Sequence, residues 1–145
     1  MKTERDRTQE RGAAFVEAAL TSLMLTVIMF AIFEAGRLIN IQQTITNAAR
    51  EGARLSVLPA WGGTDTLPSE AAVQARVQSF LDAAGLNGAS ATVLVDNNHT
   101  EAGGTTKYSL VTVTVPYKVV SLSMFRLLEV NLQGRSMMRN ETNLQ

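Results

Sequence analysis

The sequence has no cysteine and only one histidine, His99. Without thiols there is no disulfide and no thiolate metal site, and the redox state of the compartment stays open. A single imidazole rules out a multi-histidine metal centre within one chain. An excess of either charge is missing too, because 13 basic and 13 acidic residues cancel. Nucleic-acid binding needs clustered Lys and Arg to neutralise phosphates, so that balance argues against it. No phosphate-binding glycine loop precedes a lysine, and there is no nucleophile elbow. The glycine pairs at 62–63 and 103–104 are turn formers. His99 lies in a polar stretch of turn formers, three after Asp96 and two before Glu101, and reads as solvent-exposed loop. The expectation is no enzyme, no catalytic residue, no cofactor, no metal, no nucleic acid and no small-molecule substrate. Repeats and low-complexity tracts are absent as well.

Charge is nearly absent from one long stretch. The charged start MKTERDRTQERG gives way after Gly12 to AAFVEAALTSLMLTVIMFAIF, where Glu17 is the one ionised residue. Ala13 to Phe33 has about the length that crosses a hydrocarbon core as a helix. A cleaved secretory signal and a buried core helix compete with that reading. Such a signal has a shorter apolar run and ends in a small-x-small site. Here the exit IFEAGR puts Phe33 where a small residue is wanted before Ala35. A domain this small rarely needs a wholly apolar core helix of this length, and a membrane span is favoured. Lys2, Arg5, Arg7 and Arg11 precede it and only Arg37 follows closely. The positive-inside bias therefore predicts a cytoplasmic N-terminus with the bulk of the chain outside.

A carboxylate inside a span is expensive and calls for a named partner. The partner available to Glu17 is the α-amino group that cutting after Gly12 would create. Ala13 and Glu17 are four apart and share a helix face. In low dielectric, pairing an ammonium with the carboxylate offsets part of the cost of burying either alone. Within one chain that pair satisfies a stored monomer; between neighbours it fixes axial register. The competing reading leaves Glu17 solvated near the headgroups. Ala13, Ala14, Ala18 and Ala19 would let helices approach closely. At the exit, Glu34 and Arg37 are three apart and read most simply as a span terminator.

Beyond the span the helix is expected to continue to Leu55, about 65 Å in all at 1.5 Å per residue. Leu38, Ile41, Ile45, Ala48, Gly52 and Leu55 form a heptad-like apolar seam, either packed on the chain's own domain or presented to neighbours. Arg50, Glu51 and Arg54 read as a solvated face, and Gly52 as an end or kink of the helix. LPAWGGTDTLPSE is a linker, with Trp61 as its anchor. Ser69 is a candidate N-cap and Gly85 a candidate stop for an amphipathic helix carrying Val73, Val77, Phe80, Leu81 and Ala84. The period then changes to two. ATVLVD is a short strand, NNHTEAGGT a loop or hairpin tip, KYSLVTVTVPYKV the clearest strand, SLSMFRLL a connector and LLEVNLQGRSMMRN a third strand. Pro116 ends the pairing or marks an edge. The fold class is α+β: a long N-terminal membrane-spanning helix continuing as a stalk, with a head of one helix and a roughly three-stranded antiparallel sheet. The organisation is leader 1–12, span 13–33, stalk 34–58, linker 59–68 and head 69–145.

RGAAFVEAAL at the start resembles a class III prepilin-type signal. Together with NAAREGAR at residues 47 to 54 and a C-terminal strand ending RSMMRNE, it makes the chain similar to the TadE-like family of minor pilins or pseudopilins. That resemblance implies a structural and assembly component of the tight-adherence (Flp) pilus in the bacterial inner membrane. The implied partners are a prepilin peptidase, other pilins or pseudopilins through the N-terminal helix, the inner-membrane assembly platform and the lipid bilayer. Mapped onto this chain, it implies cleavage between Gly12 and Ala13, with Glu17 needed for assembly and linked to N-methylation of the new terminus. The family usually has Phe or Tyr directly after that glutamate, where this chain has Ala18.

Overall fold

The computed structural model describes residues 4–58, 67–101, 104, 106–118 and 129–140, with side chains from Arg11 onward. Residues 59–66 of the expected linker, Trp61 among them, and the connector SLSMFRLL lie outside those residues. Two compact units are present, residues 1–37 and 38–145. Helix α1, Glu4–Ser56, runs through both ranges.

In the first unit α1 begins at Glu4, within the expected leader rather than at Ala13. Nothing between Glu4 and Ala13 is a proline, so no residue removes a helical donor there. Residues 11–33 are exposed throughout, including Phe15, Leu20, Met24, Met29 and Phe33. The stretch is long and apolar enough to cross a membrane. Its hydroxyls turn back on their own helix. Thr21 donates to the Glu17 carbonyl at 2.8 Å, Ser22 to Ala19 at 3.3 Å and Thr26 to Ser22 at 2.8 Å. Bonds of this kind satisfy polar groups without water, as hydrocarbon requires.

The second unit is built from the end of α1, helix α2 (Glu70–Ala83) and three strands, with a short 3-10 turn at Gly88–Ser90. Strands β1 (Thr92–Thr100), β2 (Lys107–Lys118) and β3 (Glu129–Arg139) form one antiparallel sheet with β2 in the middle. The α+β class therefore holds.

Ser69 caps α2, its hydroxyl oxygen accepting from the Ala72 amide at 3.3 Å. At the other end Gly85 takes φ +77°, the Leu86 amide donates to Leu81 O at 2.9 Å and the Gly85 amide to Asp82 O at 3.0 Å. This is a Schellman stop, and only glycine adopts that φ without strain.

One face of the sheet carries Val93 on β1, Ser109, Val111, Val113, Val115 and Tyr117 on β2, and Leu132 and Gly134 on β3, all buried. The core also takes Ile41, Ile45, Ala48, Ala49 and Ala53 from α1 and Val73, Val77 and Leu81 from α2.

Three local expectations change. Gly52 is neither an end nor a kink, since α1 continues to Ser56. Its role is proximity: a Cβ there would lie 2.6 Å from Val77 Cγ2 and 3.2 Å from Val111 Cγ1. NNHT belongs to β1 rather than to a loop, with a register shift between Asp96 and His99. There Asp96 Oδ1 accepts from the Asn98 amide at 3.1 Å, so turn-forming side chains build a bulge instead of a hairpin tip. Pro116 does not end the pairing, because it stands opposite Asn131 in the central strand. Past Thr114, however, β1 offers no further partner, so β2 has an open side where a missing N–H is harmless.

Candidate functional site

Gly12, Ala13 and Glu17 all lie on α1 and all are exposed. Gly12 has open space around it, with nothing within 4 Å of the position a Cβ would take. The spacing of four between Ala13 and Glu17 is realised on a continuous helix, which sets both residues on one face, and Thr21 continues that face. Among the described residues Glu17 makes no ion pair. Near the exit, Glu34 is buried, and both it and Arg37 have interaction partners.

The seam residues are brought together, and the structure gives them a definite neighbour. Ile41, Ile45, Ala48 and Gly52 are buried and Leu38 and Leu55 half-buried, all as part of the second unit's own core. The segment NAAREGAR divides accordingly. Ala48, Ala49, Gly52 and Ala53 point into the core, whereas Asn47, Arg50 and Arg54 are exposed. Glu51 is half-buried and paired, accepting from Arg76 Nη2 at 2.9 Å and from its Nε at 3.3 Å.

His99 stands on β1 with Nδ1 3.4 Å from Asp96 Oδ2, both partly exposed. No group of three or more metal-ligating side chains occurs among the described residues.

Two features carried no clear sequence signal. Gly134 lies against the α1 backbone, where a Cβ would come within 2.8 Å of Ile45 O and 2.9 Å of Thr46 N. An isolated glycine inside an alternating strand is the sign that could have exposed it. The other is a buried polar link. Ser109 Oγ lies 2.8 Å from Asn97 Oδ1, Ser56 Oγ 2.7 Å from Ala53 O, and the two hydroxyl oxygens 2.6 Å from each other, so one of the two hydroxyl protons lies between them and the other is donated outward. The link ties the end of α1 to β2 and to the bulge of β1. Ser109→Ala should leave Asn97 Oδ1 without its hydroxyl neighbour and Ser56 with Ala53 O alone, and lower the stability of the head by about 1–3 kcal/mol in urea unfolding. A change under ~0.5 kcal/mol would show the link to be incidental.

A protein-family model described as TadE-like protein matches residues 12–54. That segment is similar to TadE-like proteins. It opens at Gly12, contains Glu17 and the whole seam up to Gly52, and closes at Arg54. Neither a curated protein nor a solved structure matches the chain. The TadE-like match thus lies on α1, and the sheet lies outside the matched residues.

Proposed function

We propose that this chain is a minor pilin or pseudopilin, a structural and assembly component of the tight-adherence pilus. One observation carries the reading: an exposed apolar helix holds a single carboxylate four residues after Ala13, inside the TadE-like segment. In this scheme the helix over 13–33 spans the inner membrane, with the leader cytoplasmic and the head outside. A prepilin peptidase cuts between Gly12 and Ala13. The new ammonium then balances Glu17, within the stored subunit or between neighbouring subunits, where mismatched register leaves charges unpaired. The assembly platform, other pilins and the bilayer are the partners.

A second reading has its own support. The seam is occupied by the head's core, which leaves less apolar stalk surface for neighbours. A signal-anchored periplasmic binding module outside any filament would have that property.

Mass spectrometry of the mature N-terminus distinguishes them. The pilin reading expects Ala13, with or without a methyl group; an intact Met1 supports the anchored module, and a terminus beyond Phe33 supports secretion. Glu17→Ala is expected to leave the protein in the membrane and abolish its incorporation. Undiminished incorporation would remove the register role.

A further inference from the structure

Asn40, Gln43, Asn47, Arg50 and Arg54 recur at intervals of three and four along α1, and all are exposed. That spacing gathers them into one stripe on the side of the helix away from Ile41, Ile45, Ala48 and Gly52. The flank of the stripe is concave. Gln42, Gln43, Thr46, Asn47 and Arg50 line an open cavity of about 320 Å³. Gln42 is engaged with Gln133 O at 2.8 Å and Thr46 with Gln42 O at 2.9 Å. Gln43, Asn47 and Arg50 make no side-chain bond among the described residues, and neither does Arg54.

An ordinary solvated helix face mixes charges and pairs them at i, i+4. This one does not. Arg50 and Arg54 are themselves four apart, a like-charge spacing that disfavours an isolated helix. Glu51, the carboxylate next to Arg50 in sequence, is turned to Arg76. Asn40 and Asn47 are also mediocre helix formers with no packing role to justify them.

We propose that this stripe seats an acidic helix of a different protein, one presenting Asp or Glu at three–four spacing. Charge complementarity selects it. Two guanidiniums offer forked donors that match carboxylates, and the amides between them supply both donors and acceptors. A second copy of the chain fits poorly. Parallel stripes would oppose arginine to arginine, and antiparallel ones would offer only Asn40 and Gln43. Of the chain's own exposed carboxylates, Glu70, Asp82, Asp96, Glu101 and Glu129 stand off α1, and Glu17 is alone in the apolar part of α1 with no second carboxylate at three–four spacing among residues 11–33. The partner is therefore a heterologous subunit. This inference does not depend on the pilin reading, and its test measures binding rather than filament formation.

The test uses the full chain in lipid nanodiscs and a fluorescent three-heptad helical peptide carrying glutamates at a and d. Anisotropy is expected to report binding that weakens with salt. The double variant Arg50→Ala, Arg54→Ala should bind roughly tenfold more weakly at unchanged helicity, and Arg50→Lys, Arg54→Lys should fall between. Arg135→Ala, Arg139→Ala on β3 should leave binding unchanged. Equal binding of the matching glutamine peptide, or equal loss with the β3 pair, would overturn the proposal. Because the chain has no cysteine, Asn47→Cys gives a unique thiol on the stripe. A disulfide-linked dimer of that variant in cells would overturn it too, by making a second copy the occupant.

Discussion

Gly134→Val is expected to unfold the head while the apolar part of α1 stays helical. The Cβ position faces Ile45 O at 2.8 Å, and Ile45 C and Thr46 N at 2.9 Å each. These are main-chain atoms of a helix, which no rotamer change can move aside. Overpacking a core usually costs about 1–3 kcal/mol, and against rigid backbone the effect falls at or above the top of that range. A small domain has only about 5–15 kcal/mol of stability in all. Amide exchange along β2 is the suitable readout, because protection there should collapse while that of residues 13–33 persists. Gly52→Ala makes the contrast. Its obstructions are the side chains of Val77 and Val111, which can shift, and alanine regains about 1 kcal/mol of helix propensity. The loss there should be clearly smaller. Equal effects at the two sites would mean that β3 does not lie close to α1.

Ile45→Ala is expected to destabilise the head by about 2–5 kcal/mol, the range for deleting a large aliphatic side chain from a packed core. Ile45 is fully buried, in the same cluster as Leu81, Val111 and Val113. Ile39 lies on the same helix but is 57% exposed, and Ile39→Ala should stay within about 0.5 kcal/mol. The pair discriminates between the two uses of the seam. If Ile45 served mainly to pack on neighbouring subunits, its truncation would spare the isolated chain and impair only assembly. Urea unfolding of the full chain in detergent decides the matter: a change at Ile45 no larger than at Ile39 would refute the core assignment.

Both results turn on contacts between α1 and residues far along the chain, and here sequence reading reached its limit. The heptad-like spacing of Leu38, Ile41, Ile45, Ala48, Gly52 and Leu55 identified an apolar face but not what covers it. A helix laid on its own sheet and a helix laid on a neighbour require the same period. Gly52 shows the same ambiguity. Propensity marks glycine as a helix weakener, while in the fold it makes room for Val77. NNHT went wrong for a related reason. Asn and Asp build turns through short side-chain bonds to backbone, and those bonds build a strand bulge equally well. Arg76 and Glu51, 25 residues apart, could not be paired from spacing at all.

The residues by themselves determined whatever depends on near neighbours. An apolar run of spanning length, one carboxylate four places after Ala13, the Ser69 cap, the Gly85 stop and the valine alternation of β2 each follow from interactions within a few positions. Only the tertiary structure decided which side of α1 is buried and which is left as a polar stripe. It alone set Gly134 against a helix backbone and linked Ser56, Ser109 and Asn97. Those outcomes depend on volumes and donors contributed by segments dozens of residues apart, and no local pattern carries that information.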